Sequence, residues 1–135
     1  MTNKMIASLA AAAALFSTSA LAEVVVVVNP KAAESAMTKE QVAQFFLGKS
    51  SAMTPVDQAD ASPVRAEFYK KVAGKDAAQA KALWSKLVFT GKATMPKEVA
   101  DSAAVKAAVA ANPKVIGYID KGAVDGSVKV VYTAQ

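Results

Sequence analysis

The segment Glu23-Val24-Val25-Val26-Val27-Val28-Asn29-Pro30 contains an unbroken run of five valines. A strand with one face in water alternates apolar and polar residues. A continuous β-branched run is instead typical of a strand buried on both faces, as in a parallel sheet covered by helices. Without neighbouring strands, such a run promotes aggregation. We therefore predict a strand in a central position of a sheet, ending at Asn29-Pro30.

The residues before this run have the pattern of a secretory signal. Lys4 supplies the positive charge, residues 5–15 form an alanine-rich apolar stretch, and Ala20-Leu21-Ala22 is a small-residue cleavage site. The rival interpretation is an uncleaved membrane anchor, but the stretch is short for a bilayer and residues 17–19 interrupt it. We expect residues 1–22 to be a signal peptide cleaved after Ala22. Residues 23–135 then form a single periplasmic domain in a Gram-negative cell, without membrane insertion.

The chain has no cysteine and no histidine, which bears directly on the class of protein. It therefore lacks disulfides, a thiolate nucleophile, the usual general base near neutral pH and the commonest metal ligand. A Ser-His-Asp hydrolase cannot be assembled, which leaves only a carboxylate or lysine mechanism open. We expect a protein that is not an enzyme and that needs no metal or cofactor.

The formal net charge of the whole chain is +5. The basic residues are scattered, and Lys70-Lys71 is the only adjacent pair. Nucleic-acid sites are typically basic stripes with interleaved aromatic residues, and we expect no nucleic-acid partner here. A mild positive charge is better suited to small anions or to an acidic envelope surface.

Four helices and three further strands are predicted after the valine run. Each helix begins at a capping residue and carries apolar side chains at helical spacing. The capping residues are Thr38 (with Gln41 in a capping box), Ser62, Asp76 (with Gln79) and Asp101. The strands are residues 55–57, 115–119 and a half-exposed segment, 128–133. The order predicts a three-layer α/β domain with a mixed, mostly parallel sheet.

The helix that begins at Ser62 offers the best anion site on physical grounds. A helix N-terminus has unpaired amides and partial positive charge, and no acid lies in residues 63–65. Ser62 adds a hydroxyl, and Arg65 can form two hydrogen bonds to a phosphate or carboxylate. Asp57 and Asp60 lie close by and would repel an anion, although a phosphate carrying a proton could donate to one of them. The alternative interpretation of Ser62 is simple helix capping.

Other features have a ligand interpretation and a structural one. The aromatic residues lie at core spacing, so we expect packing rather than a ligand cage; they are Phe45, Phe46, Phe68, Trp84 and Phe89. For Thr90-Gly91-Lys92 we favour a helix C-terminal glycine followed by a solvated lysine over a second polar contact. Tyr118, beside Gly117, belongs either to the core or to the edge of a cleft, and both alternatives stay open.

Three segments together resemble one protein family. Residues 37–49 resemble a helix that follows Leu-Thr and ends in Ile-Phe-Leu-Gly-Lys, and residues 57–68 resemble the segment that delivers an anion-binding helix. Residues 112–119 resemble a strand of the pattern Pro-Gly-(Ser/Ala)-Ile-Gly-Tyr. In this order they are similar to the phosphate-binding proteins of ABC transporters, over roughly residues 23–131.

The resemblance implies one lobe of a type 2 periplasmic binding protein, a fold in which two lobes hold phosphate between them. The family's binding run is similar to Arg-x-Asp-Gly-Ser-Gly-Thr and falls on residues 58–64. Gln58 stands at the arginine position, while Asp60 and Ser62 are retained. The two glycines and the threonine are replaced by Ala61, Pro63 and Val64.

The implied function is that of a periplasmic protein for phosphate or another small oxyanion, related to ABC-transporter substrate-binding proteins. The predicted binding residues are Gln58 as a neutral donor, Asp60, Ser62 and Arg65. The implied partner is a transporter or envelope protein, or a second copy that closes the cleft. The alternative is a ligand-free envelope protein-interaction module derived from the same fold.

Overall fold

The five valines form strand β1 (Val24–Val28) in the interior of a five-stranded sheet. The computed structural model describes residues 23–134, so the predicted signal peptide lies outside the described residues. All five valines are at most 2% exposed, which confirms a strand buried on both faces. The strand is antiparallel to both of its neighbours, so the expected parallel surroundings are wrong for this strand.

The remaining elements follow the predicted order, with one additional strand. They are α1 (Lys39–Phe46), β2 (Thr54–Gln58), α2 (Pro63–Phe68), a π-helical turn (Tyr69–Ala73), α3 (Ala77–Phe89), β3 (Lys97–Val99), α4 (Ser102–Ala111), β4 (Val115–Asp120), a short 3₁₀ helix (Lys121–Ala123) and β5 (Lys129–Thr133). Within residues 23–134, none of the helices combines the length and apolar character needed to cross a bilayer.

The strand order in the sheet is β3-β2-β4-β1-β5. β2 pairs in parallel with β3 and β4, whereas β1 pairs antiparallel with β4 and β5. Within the described chain, therefore, β1 alone opposes a common direction of the other four strands, which confirms a mixed, mostly parallel sheet. The sequence predicts only a turn where β3 forms, because Lys97-Glu98-Val99 shows no apolar alternation. In the structure, Lys97 and Glu98 are exposed.

Helices cover both faces of the sheet, as predicted. Apolar residues of α1, α2 and α3 pack on the face that carries Val24, Val26 and Val28. Val105 and Val109 of α4 pack on the opposite face, against Val25 and Val27. Because alternate residues of a strand point to opposite faces, the valine run serves both cores at once.

The predicted helix starts are confirmed at three of the helices. Thr38 Oγ1 accepts from the Gln41 N–H at 3.1 Å, and Gln41 Oε1 accepts from the Thr38 N–H at 2.8 Å. Asp76 and Gln79 form the same reciprocal pair, and Asp101 Oδ1 accepts from the Ala104 N–H. These local hydrogen bonds satisfy backbone donors that the helices themselves cannot use.

The aromatic residues mostly pack in the core, with one exception. Phe46 and Phe68 are fully buried around Tyr118, which stacks on Phe68 with a ring-centroid distance of 4.0 Å. Trp84 is 3% exposed, whereas Phe89 is 91% exposed, so the expected packing of Phe89 is wrong. It lies five residues beyond Trp84, and a turn of 100° per residue carries it away from the buried stripe of α3.

Candidate functional site

The candidate site lies at the carboxyl ends of β2 and β4. From β2 the chain crosses one face of the sheet, through α2 and α3, to β3 on one side. It then crosses the opposite face, through α4, to β4 on the other side. In open α/β sheets, ligands bind outside the carboxyl ends of strands where the connections diverge in this way. The topology therefore selects this edge before any side chain is considered.

A shallow, open crevice of ≈ 600 Å³ lies at this edge. Its polar lining comes from the end of β2, the N-termini of α2 and α4, and the end of β4. The residues concerned are Gln58, Ser62, Asp101, Ser102 and Asp120. We call it the switch-point crevice.

The Gln58 amide organises the floor of the switch-point crevice. Its Nε2 donates to the Tyr118 carbonyl oxygen at 2.9 Å and to Ser102 Oγ at 3.2 Å. A carbonyl can only accept, so the Tyr118 carbonyl determines which end of the amide is nitrogen. Gln58 Oε1 consequently faces Ser62, whose hydroxyl donates to it at 2.6 Å. Gln58 is 1% exposed, so it presents almost no surface of its own to the crevice. Its effect there is to orient the hydroxyls of Ser62 and Ser102.

The Ser102 hydroxyl has a proton to donate. Its oxygen accepts from Gln58 Nε2 and, at 3.1 Å, from the Asp120 N–H. A hydroxyl has two lone pairs and one proton, and both lone pairs are occupied. The described residues supply no acceptor for that proton, and Ser102 is half-buried in the crevice wall. It can therefore donate to a ligand, beside the free first amides of α4.

Ser62 serves Gln58 rather than its own helix. It occupies the N-cap position of α2, but its side chain makes no capping hydrogen bond, so the alternative of simple side-chain capping is wrong. Pro63 follows and has no N–H, and α2 is only six residues long. The helix therefore contributes fewer amides to the crevice than the sequence indicates.

Arg65 lies beneath the surface and faces protein acceptors. Its Nη1 donates to the Gln58 carbonyl oxygen at 2.7 Å and to Glu98 Oε1 at 2.6 Å, and Asp60 Oδ1 lies 3.3 Å away. The side chain is 2% exposed. Burial opposes its charge, but Asp57 and Glu98 more than offset this, so the pKa of Arg65 lies above its ordinary value.

Asp60 is half-exposed beside Arg65. Its Oδ2 accepts from Lys81 Nζ at 2.9 Å. This hydrogen bond and the charges of Arg65 and Lys81 hold the pKa of Asp60 below its ordinary value. Asp60 is thus held ionised between two cations.

Asp57 is buried directly below, with 2% exposure. Its Oδ2 accepts from Tyr69 Oη at 2.6 Å, and its Oδ1 accepts from Tyr118 Oη and from the Gln58 N–H. Burial raises the pKa of Asp57, and the two tyrosine hydrogen bonds and the Arg65 charge offset only part of this. Asp57 therefore supports the floor of the crevice and does not face its opening.

The opening of the crevice carries acidic groups and no basic one. Asp101 Oδ1 accepts from the Ala104 N–H, and Asp120 Oδ1 accepts from the Gly122 N–H. Among the lining residues, all of them within the described range, there is no lysine or arginine. Residues 23–134 also contain no group of three or more acidic, histidine or cysteine residues that could hold a metal ion. The crevice suits a small ligand that both donates and accepts hydrogen bonds and carries little negative charge.

The four predicted site residues lie together but in different roles. Gln58 and Ser62 line the crevice, whereas Asp60 and Arg65 pair with each other beside it. The sequence identifies Asp101-Ser102 only as a helix cap and does not single out Asp120. The topology could have identified these residues. β4 is parallel to β2, so the end of β4 and the N-terminus of α4 before it lie at the same edge of the sheet as the end of β2.

Comparisons with known proteins give a likeness of fold only. A scan against protein-family models matched none of them, and a search of the curated proteins found no match.

Three solved structures are similar to this chain. They are an ABC-type phosphate transport receptor from Vibrio cholerae (TM-score 0.63, 19% identity), a protein described as a phosphate ABC transporter substrate-binding protein, with bound phosphate, from Clostridium perfringens (0.65, 21%), and PstS from Borrelia burgdorferi (0.62, 13%). Each match covers 81% of this chain and 44–46% of the other.

The predicted likeness to phosphate-binding proteins of ABC transporters is thus confirmed at the level of the fold. This chain spans less than half the length of each matched protein, as expected for one lobe.

Proposed function

We propose that this chain is an exported, non-enzymatic binding domain that takes a small oxyanion carrying a proton, with phosphate as the leading candidate. The observation that carries the proposal is the unused Ser102 proton at the switch-point crevice, within reach of the same opening as the Asp101 and Asp120 carboxylates. Export, cleavage after Ala22 and a domain that begins at Glu23 are parts of the same proposal and rest on the sequence pattern.

The donors and acceptors define the form of phosphate that fits. Ser102 and the first amides of α4 donate to phosphate oxygens. Asp101 and Asp120 accept from a P–OH group, which an ion without a proton cannot supply. Because no lysine or arginine is among the described residues that line the crevice, the monoanion is favoured over the dianion.

The predicted residues take positioning roles in this proposal. Arg65 holds the Gln58 carbonyl, Gln58 orients Ser62 and Ser102, and Asp60 neutralises Arg65 together with Glu98. A ligand in so open a crevice stays half in water. We propose that a second chain, either another copy or an envelope or transporter protein, closes it.

Calorimetric titration of the purified protein with phosphate at low salt, with sulfate as the control anion, tests the proposal. We expect saturable binding of phosphate and none of sulfate. Binding should strengthen as the pH falls from about 8 to about 6, the range in which phosphate groups gain their second proton. Sulfate binding of equal strength, or no heat with either anion, would contradict the proposal.

Ser102 is the residue to change in this titration. Ser102→Ala removes a hydrogen bond to a charged group, so binding should weaken roughly tenfold to a hundredfold. Ser102→Thr keeps the hydroxyl and should retain most of the affinity for phosphate. Ser85→Ala, an exposed serine of α3, is the matched control and should bind like the unchanged protein.

A second candidate function is an interaction module for an envelope protein. The observation in its favour is Phe89, which is 91% exposed, with Val88 and Met95 also exposed. A photo-reactive residue at position 89 tests this in intact cells. A specific cross-link to one envelope protein would support docking, whereas a diffuse pattern equal to that from exposed position 39 would exclude it.

A further inference from the structure

A second cavity, of ≈ 520 Å³, opens at the amino end of β2, at the opposite edge of the sheet from the switch-point crevice. Thr54, the first residue of β2, lies in its wall, as do the turns that follow α1 and α3. We call it the twin-turn cavity because these two turns have the same construction.

The two turns share most of their backbone hydrogen bonds; among the described residues, they differ in the bond from the Gly91 N–H to the Val88 carbonyl, which has no counterpart at Gly48. After α1, Gly48 has φ +74° and the Lys49 N–H donates to the Gln44 carbonyl at 2.8 Å. After α3, Gly91 has φ +73° and the Lys92 N–H donates to the Leu87 carbonyl at 2.9 Å. Each glycine takes the left-handed conformation that ends a helix, and each turn brings a lysine to the wall of the cavity.

Trp84 holds the two helices at the distance that forms the cavity. Its Nε1 donates to the Phe46 carbonyl oxygen at 2.8 Å, which links α3 to the end of α1. A Cβ at Gly48 would lie 2.4 Å from Leu87 Cδ1 and 3.5 Å from the Trp84 ring. The close approach of α1 and α3 therefore depends on the glycine and on the indole hydrogen bond, and both lysines sit on fixed backbone.

The chemistry of the twin-turn cavity is the reverse of that of the switch-point crevice. Lys49 and Lys92 line it, together with four hydroxyl side chains, and no carboxylate is among its lining residues, all within residues 23–134. The hydroxyl residues are Ser50, Ser51, Thr54 and Thr94. Neither lysine forms an ion pair with a described residue. Phe45, which is half-buried, supplies the main apolar part of the wall, whereas Met53 and Trp84 are each 3% exposed and contribute little surface.

The helix ends do not cancel this positive charge. Carbonyl groups at a helix C-terminus carry partial negative charge and attract lysine. Here the Gln44 carbonyl accepts from the Lys49 and Ser50 N–H groups, and the Leu87 carbonyl accepts from the Lys92 and Ala93 N–H groups. One carbonyl at each helix end thus already has two backbone donors and does not need the lysine, which leaves the lysine ammonium groups available to a ligand.

We propose that the twin-turn cavity binds a phosphomonoester on a small apolar body, with Lys49 and Lys92 on the phosphoryl oxygens and the apolar wall against the body. The opposing interpretation is that each lysine merely follows a helix end in solvent. The convergence of two such turns on one acid-free cavity with four hydroxyl residues argues against it. The site is independent of the proposed function, since the two openings share no lining residue.

The same chemistry has two sources, a soluble phosphate ester and a lipid headgroup. Phe89, the last residue of α3, is 91% exposed and stands three residues before Lys92. An exposed aromatic residue beside lysines suits the boundary of an anionic bilayer. A headgroup in the cavity would bring Phe89 to the acyl region, whereas a soluble ester would not use Phe89.

Two parallel titrations test the proposal on the purified protein. One uses phenyl phosphate, followed by calorimetry. The other uses phosphatidylcholine vesicles with and without phosphatidic acid, followed by co-sedimentation. The test variant is Lys49→Ala/Lys92→Ala. The matched control is Lys39→Ala/Lys114→Ala, two exposed lysines that lie outside both cavities and that change the net charge equally.

We expect at least one of the two probes to bind saturably, with the test variant weakened roughly a hundredfold and the control variant nearly unchanged. Binding of phenyl phosphate identifies a soluble ester. Binding only to vesicles that contain phosphatidic acid, reduced further by Phe89→Ser, identifies a lipid headgroup. Ser102→Ala should leave either result unaltered, which separates this site from the switch-point crevice. Equal weakening in both double variants, or binding of neither probe, would overturn the proposal.

Discussion

Tyr118 joins the buried carboxylate to the candidate site. Its hydroxyl donates to Asp57, its carbonyl oxygen accepts from Gln58 Nε2, and its ring stacks on Phe68. Tyr69 donates to the other oxygen of Asp57. Burial and the nearby Asp57 charge raise the pKa values of both tyrosines, so both remain proton donors across the ordinary pH range.

Tyr118→Phe should destabilise the protein by about 1–3 kcal/mol, because it leaves a buried carboxylate oxygen with one donor fewer. Urea unfolding measures this loss. Tyr132→Phe is the matched control, since Tyr132 is half-buried in β5 and finds no hydrogen-bond partner among the described side chains. Its effect should stay within about 0.5 kcal/mol. Equal losses in the two variants would show that the hydroxyl of Tyr118 contributes nothing.

The raised pKa of Asp57 predicts a pH-dependent difference between the unchanged protein and Asp57→Asn. The folded state keeps the Asp57 proton at pH values where the unfolded chain, with its pKa near 3.9, has lost it. This contribution to stability is complete below the unfolded pKa and is lost as the pH rises through the folded pKa. The advantage of the unchanged protein should therefore be greatest in acid.

The measurement is urea unfolding of both proteins from acidic to neutral pH. Subtracting the free energy of unfolding of Asp57→Asn from that of the unchanged protein removes the contribution of the other carboxylates. A difference that grows with rising pH would instead mean that Arg65, 3.9 Å away, controls the carboxylate and holds its pKa down.

The role of Asp57 could not be predicted from the sequence. The sequence shows an acidic residue near Ser62, and the expectation is repulsion of an anion. Its two partners lie 12 and 61 residues away along the chain. Only the packing of α2 and the π-helical turn on the face of the sheet to which β4 contributes Tyr118 brings them together.

At the scale of elements, the contact between α4 and β4 depends on Gly117. A Cβ on Gly117 would lie 2.4 Å from Val105 Cγ1 and 3.4 Å from Val109 Cγ2. The missing side chain lets α4 lie close to the sheet, so that both valines bury completely. The same contact brings the N-terminus of α4, with Ser102, to the switch-point crevice.

Gly117→Ala should cost about 1–3 kcal/mol through overpacking, as measured by thermal or urea unfolding. Val105→Ala makes room, so the double variant should be more stable than the sum of the two single effects predicts. Gly126→Ala is the control, because a Cβ there meets nothing within 4 Å. If the losses of unfolding free energy from the two single substitutions simply add in the double variant, the side chains at positions 117 and 105 do not contact each other.

Elements with local signals are the ones that the sequence predicts well. Capping pairs such as Thr38 with Gln41 act over three residues, so the helix starts follow from the chain alone. β3 has no such signal. It is held by pairing with β2, where Val56 meets Lys97 and Gln58 meets Val99, and this pairing depends on the tertiary fold.

At the scale of the whole molecule, one sheet separates two apolar cores. Val26 belongs to the core beneath α1, α2 and α3, and Val27 to the core beneath α4. The single tryptophan of the chain, Trp84, lies on the first side only. Its fluorescence therefore reports directly on one core and indirectly on the other.

Val27→Ala should destabilise the domain by about 2 kcal/mol, through lost burial and a small cavity. The urea midpoint should fall equally by Trp84 fluorescence and by far-ultraviolet circular dichroism, because β1 couples the two cores. Val26→Ala, on the same side as Trp84, is the comparison and should behave alike. If Val27→Ala leaves the urea midpoint measured by Trp84 fluorescence unchanged, the two cores unfold separately.

The sequence predicts which segment of the chain forms the candidate site. It does not predict the full set of side chains that line the crevice or which partners they bind. The segment around Ser62 follows from its resemblance and from helix-start chemistry, and Gln58 and Ser62 do line the crevice. The engagement of Arg65 by Glu98 and the arrival of Ser102 from α4 depend on how distant parts of the chain pack. Sequence spacing carries no information on either.

The position of β1 has a consequence for how the protein is made. Val24 pairs with Asp120 and Val25 with Thr133, so β1 is enclosed by two strands that lie far along the chain from it. Pairings this distant along the chain form slowly. The valine run therefore has no neighbouring strands until β4 and β5 have been synthesised and the chain folds, and in that interval it can pair with other copies. Yield of the folded protein should depend on chaperone capacity more than its native stability suggests.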